Sequence, residues 1–85
     1  MNKDQTVLET ILKAVVAQPD AVQVERSRDD MGILLTVSLG DGDAGRVIGK
    51  KGELIDAIRR VIRSVGRLEN ARVNVKLNVP ERPKA

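Results

Sequence analysis

Gly49-Lys50-Lys51-Gly52 is the stretch of this 85-residue chain whose residue types and spacing come nearest to a ligand site. Glycine has no Cβ, so a turn bracketed by two glycines bends sharply and lets another molecule's backbone come close. Two lysines at the apex add mobile positive charge. Leu54, Ile55, Ile58, Val61, Ile62 and Val65 recur at helical spacing just downstream, which predicts a long helix opening directly from the turn. The first N–H groups of such a helix, with its dipole, favour a phosphate. Arg59, Arg60 and Arg63 extend the attraction along the same helix. Together these groups suit a phosphodiester backbone, held without its sequence being read. The plain alternative is that the glycines only turn one helix into the next. Lysine at both inner positions and helical segments on both sides favour the phosphate reading.

The charge distribution agrees. Arg46, Lys50, Lys51, Arg59, Arg60, Arg63 and Arg67 face only Glu53 and Asp56 within their segment, a local charge of +5 in a chain of +3. Outside that segment, eight basic residues are outweighed by ten acidic ones. Charge concentrated in this way marks either an anion-binding face or a solvated helix surface. Catalysis has little to work with. Cysteine and histidine are absent, so disulfides, thiolate or imidazole zinc sites and the commonest general base are excluded. Ser27, Ser38 and Ser64 therefore lack a histidine partner, and Asp29-Asp30 reads as a solvated turn. No cofactor, metal or small-molecule substrate is expected. With no signal peptide and no run of about 20 apolar residues, the chain reads as soluble and cytoplasmic, without a membrane span.

The elements that must carry the turn follow from periodicity. Val7, Leu8, Ile11, Leu12, Val15 and Val16 predict a first helix, started by a Thr6 to Glu9 capping box or by Asp4 and stopped by Pro19 near Gln18. Val22 and Val24 predict a short strand. Asp29-Asp30-Met31-Gly32 predicts a hairpin bend, and Ile33, Leu35, Val37 and Leu39 a second strand. A loop from Gly40 to Gly45 leads into a helical turn at Arg46, Val47 and Ile48. The long helix then ends at Gly66, expected in a left-handed conformation. Val73, Val75, Leu77 and Val79 alternate as a third strand, closed by Pro80 and followed by a frayed tail. The order is α-β-β-α-α-β: an α+β fold with a mixed three-stranded sheet packed on one face by three helices, the first two strands a hairpin and the last two parallel. With no Phe, Tyr or Trp, the core must be aliphatic.

Three sharper-looking motifs fail on chemistry or spacing. Gly40-x-Gly42-x-x-Gly45 matches a dinucleotide fingerprint, but Asp41 and Asp43 would oppose a pyrophosphate, and one strand-helix-strand crossover is too little fold. A P-loop needs four residues where Gly45 and Gly49 enclose three, and Lys51 stands where Ser or Thr should hold magnesium. A calcium loop beginning at Asp41 would have Gly52 in place of its closing Glu.

Gly45-Arg46-Val47-Ile48-Gly49-Lys50-Lys51-Gly52, followed by Ala57-Ile58-Arg59, resembles the signature of KH domains, and the element order resembles their bacterial type II form. The likeness runs from about Val7 to Val79, with residues 1–79 as one domain and 80–85 as a flexible tail. The length is similar to the small stand-alone bacterial KH proteins of the KhpA/YlqC type, in which Asn and Pro precede the first strand, where this chain has Gln18-Pro19-Asp20. It departs at Glu53-Leu54-Ile55-Asp56, where a more basic helix start is usual. The resemblance implies binding of single-stranded RNA, with Gly49, Lys50, Lys51 and Gly52 clamping about four nucleotides of backbone. It implies that Arg46 belongs to the binding segment, that Val47, Ile48 and Ile55 floor an apolar groove for bases, and that Arg59, Arg72 and Val73 flank it. It also implies a homodimer, or a heterodimer with a second KH-containing protein. The alternative reading is a protein-interaction or dimerisation module in which RNA binding is weak or secondary.

Overall fold

The computed structural model describes residues 2–78. Helix α1 (Lys3–Val15) is followed by a 3-10 turn (Pro19–Ala21) and strands β1 (Gln23–Asp29) and β2 (Gly32–Ser38). The short helix α2 (Ala44–Ile48), a 3-10 turn (Lys50–Gly52), the long helix α3 (Glu53–Leu68) and strand β3 (Val73–Leu77) complete it. This is the expected α-β-β-α-α-β order. The sheet runs β1-β2-β3. β1 and β2 form an antiparallel hairpin pairing Gln23 with Ser38 and Asp29 with Gly32. β2 and β3 are parallel, pairing Ile33 with Val73 and Val37 with Leu77, the crossover between them being α2 and α3. Val79 and Pro80, placed by the sequence reading at the end of the third strand, lie outside the described residues, as does the tail.

Alternation puts Val24, Ile33, Leu35, Val37, Val73 and Val75 on one side of the sheet. There they bury against Leu8 and Leu12 of α1, Val47 of α2 and Ile55, Ile58 and Ile62 of α3. Branched side chains with few rotamers can fill such a layer densely without aromatic rings.

Four local expectations are corrected. Helix α1 starts at Lys3, with no side-chain cap from Thr6 or Asp4. Asp4 is instead buried, its Oδ1 accepting from the Gln5 N–H at 2.6 Å and lying 3.2 Å from Arg26 Nε on β1. A carboxylate sunk in this way needs its cation: removing one partner of a buried pair costs about 3–5 kcal/mol. The same helix ends at Val15, before Pro19, which opens the 3-10 turn instead. In α3 the buried stripe is Ile55, Ile58, Ile62 and Gly66; Val61 is 45% exposed, while Leu54 and Val65 are half-buried. Finally, Gly66 is helical and does not end α3. A Cβ there would meet Val73 Cγ2 at 2.7 Å and the Ala71 carbonyl at 2.8 Å, so Gly66 is where α3 and the approach to β3 touch. The left-handed residue after the helix is Asn70, at φ 55°.

Candidate nucleic-acid interface

The turn at residues 49–52 is built from three backbone conformations that L side chains avoid. Gly49 has φ 77°, Lys51 φ 56° and Gly52 φ 78°. At Gly49 a Cβ would also lie 2.7 Å from Leu54 Cβ, so glycine is required for both the turn and the close crossing of α3. Within the turn, the Gly52 N–H donates to the Gly49 carbonyl at 3.3 Å and the Glu53 N–H to the Lys50 carbonyl. Gly52 occupies the N-cap of α3 and no side chain caps that helix, so its positive end faces outward beside the lysines. Among the described residues neither Lys50 nor Lys51 forms an ion pair, and both are exposed.

The other basic residues of the segment are more restrained. Arg46 Nε lies 3.5 Å from Asp43 Oδ1, its side chain still mostly exposed. Arg59 donates from Nε to the Val75 carbonyl at 3.4 Å, and its Nη1 is 3.8 Å from Asp56 Oδ1. That contact explains its position. Parallel pairing uses the backbone groups of alternate residues, and β3 spends those of Arg72 and Asn78 on β2, through Ile33 N–H to Arg72 carbonyl and Asn78 N–H to Val37 carbonyl. Val73, Val75 and Leu77 therefore turn their backbone groups to the open edge, and Arg59 reaches over that edge from α3. Glu53 and Asp56 sit in the first turn of α3, where carboxylates suit the dipole but subtract from the positive field at the 49–52 turn.

The three apolar groove residues separate. Val47 has no exposed surface and Ile55 is 6% exposed, so both are core residues. Ile48, at 36%, is the one of the three with its side chain open to a ligand. Arg72 is exposed at the start of β3, and Val73 is buried.

Asp43 was not among the sequence candidates. It is buried, and its carboxylate accepts the Ala17 N–H at 3.1 Å and the Gln18 N–H at 3.0 Å, while its carbonyl accepts the N–H groups of Arg46 and Val47. One residue thus pins the end of α1 to the start of α2, and α2 leads directly into Gly49. An aspartate just before a helix is a recognisable sequence signal, but here it caps a segment 26 residues away and not its own helix. Asp43→Ala removes both hydrogen bonds to the Ala17 and Gln18 N–H groups, and at about 0.5–1.5 kcal/mol for each the variant is expected to melt several degrees lower. Thermal unfolding followed by circular dichroism checks this; an unchanged melting temperature contradicts the tether. Among the described residues no cluster of His, Cys, Asp or Glu is placed to hold a metal ion, and no helix is long and apolar enough to cross a membrane.

The sequence model of the KhpA/KhpB KH domain matches residues 5–77. The chain belongs to the KhpA/KhpB KH-domain family. Its α+β order and mixed sheet are those of a type II KH domain. It is 42% identical over 71 residues to a protein of Clostridium acetobutylicum named RNA-binding protein KhpA, covering 84% of this chain and 95% of that one. A protein of the same name from Caldanaerobacter subterraneus subsp. tengcongensis is 35% identical over equal coverage. Another, from Chlamydia trachomatis, is 31% identical over 67 residues, or 79% of this chain and 86% of the relative. Within that domain, Gly49 to Gly52 joins α2 to α3, and β3 is an open edge of the sheet.

Proposed function

We propose that this protein, as a single KH domain spanning residues 1–79, binds single-stranded RNA in the cytoplasm through its GKKG loop. It serves RNA metabolism or post-transcriptional regulation with low sequence specificity. The observation that carries this reading is the pair of exposed lysines, without an ion pair among the described residues, on a left-handed turn at the uncapped N-terminus of a 16-residue helix, in a chain whose relatives are named RNA-binding proteins. Gly49 and Gly52 admit the backbone, Lys50 and Lys51 neutralise phosphates, and Arg46 and Arg59 flank the strand. Ile48 contacts a base, while Val47 and Ile55 set the height of the groove floor from beneath. No part of this arrangement requires a cofactor.

Salt titration tests it. With about four phosphates engaged at roughly 0.7 counterions each, the logarithm of the association constant for a short single strand is expected to fall with log salt at a slope near −3. Fluorescence polarisation with a labelled oligoribonucleotide measures that slope, and affinity insensitive to salt rejects the clamp.

A second reading is favoured by Leu68 and Met31, which are 79% and 74% exposed. Apolar side chains so open suit pairing with a second copy or with another KH-containing chain. Light scattering across the same salt series separates the two, because an apolar interface persists where phosphate binding is lost.

A further inference from the structure

The arginines beyond Arg59 are not accounted for by a clamp at the opposite end of α3. Arg63 and Arg67 line a cleft with Arg72, Asn74, Ala71 and Val73, where the last turns of α3 overhang the start of β3. Three guanidinium groups border this cleft and no carboxylate does. Among the described residues none of the three makes an ion pair. Arg59, Arg63 and Arg67 also follow one another at four-residue spacing on one helix, an arrangement of like charges that costs an isolated helix about 0.2–0.5 kcal/mol per pair. Favourable interaction with the helix dipole explains Arg67, in the last turn, but neither Arg63 nor Arg72. The acids of this end of the molecule lie beyond Arg72, which borders both clefts. Asp29, Asp30 and Glu69 line a neighbouring cleft with Arg28 and Arg72, which leaves that side net negative and the α3 side positive.

We propose that Arg63, Arg67 and Arg72 form a second phosphodiester site, which holds the RNA strand where it continues past the GKKG clamp. The inference rests on RNA binding at the clamp and extends it. Arg67 lies 14 residues beyond Glu53, about 21 Å along the helix axis at 1.5 Å per residue. The three steps of a stacked tetranucleotide cover only about 10 Å at 3.4 Å each. A strand of four nucleotides held by the clamp therefore does not reach the cleft, whereas a strand of twelve, about 37 Å long at the same step, reaches it when the clamp holds it near one end. Guanidinium suits the task because its planar fork bonds two phosphate oxygens at once.

The test compares labelled oligouridylates of four and twelve nucleotides. In Arg63→Gln/Arg67→Gln, affinity for the twelve-nucleotide RNA is expected to fall roughly tenfold and its salt slope to shrink by about 1.4, with the four-nucleotide RNA unaffected. Lys3→Gln/Lys13→Gln, on exposed positions of α1, makes the same change in net charge and is the reference for bulk electrostatics. Loss on the long RNA no greater than in that reference, or equal loss on both lengths, overturns the proposal. In the unaltered protein, the Nε–H signals of Arg63 and Arg67 should shift with the twelve-nucleotide RNA and stay still with the four-nucleotide one. Signals unmoved by the long RNA also overturn it and leave the cleft to an acidic protein partner. Lys50→Asp/Lys51→Asp distinguishes the two readings. If that variant keeps its grip on the four-nucleotide RNA while the arginine variant loses the twelve-nucleotide one, the clamp is wrong and the cleft stands by itself.

Discussion

Lys50→Asp/Lys51→Asp is expected to abolish binding of short single-stranded RNA, weakening it by at least about a hundredfold at moderate salt, without unfolding the domain. The substitution turns two positive charges into two negative ones at the tip of the turn, where a phosphate would lie between the helix N-terminus and the side chains. Two phosphate contacts become two repulsions, and the remaining N–H groups of α3 cannot offset them. The fold is spared for structural reasons. Both lysines are exposed and unpaired among the described residues, so no packing or ion pair is lost. Position 51 is left-handed at φ 56°, a region that Asp enters more readily than Lys. Circular dichroism should show an unchanged spectrum and a melting temperature within a few degrees of the parent. Polarisation on the same preparation reads the loss, and unaltered affinity sinks the clamp.

A large stability effect is expected at Leu35→Ala. Leu35 is fully buried at the middle of the central strand, between Arg26 on β1 and Val75 on β3, and faces the helix layer. Removing its branched end leaves a cavity in a core that has no aromatic ring to lean into the gap, at a cost of about 2–5 kcal/mol. For a domain of this size that is a large share of total stability, and the melting temperature should fall by on the order of 10–25 °C. Val61→Ala gives the contrast. The helical stripe read from the sequence includes Val61, but it is 45% exposed, and its truncation should stay within about 0.5 kcal/mol. Comparable losses in the two variants would contradict the placement of α3 on the sheet.

The strands and the long helix were legible because their signals are local. Ile33, Leu35 and Val37 alternate with half-buried neighbours along one strand, and the burial follows that period residue by residue. The turn at residues 49–52 was legible for the same reason, two glycines and two lysines being adjacent. What could not be read depends on partners distant in sequence. Asp43 meets Ala17 and Gln18, and Asp4 meets Arg26, across separations that no periodicity records. Both acids look like ordinary loop or helix-start residues, yet both are buried. Gly66 misled because a glycine near a helix end usually marks its stop, whereas here the missing side chain makes room for Val73. Val61 misled because helical spacing gives the width of a stripe only roughly, and the stripe turns toward Gly66 as α3 settles on β3.

Lys51 occupies a conformation that costs a side-chain-bearing residue about 1 kcal/mol relative to glycine. Glycine at that position would relieve the cost and remove half of the apex charge in the same step. On the proposed clamp, grip and thermal robustness therefore oppose one another at a single codon. A population of this chain selected only for heat resistance would be expected to drift toward glycine or asparagine at position 51, and to shed its hold on RNA as it did so.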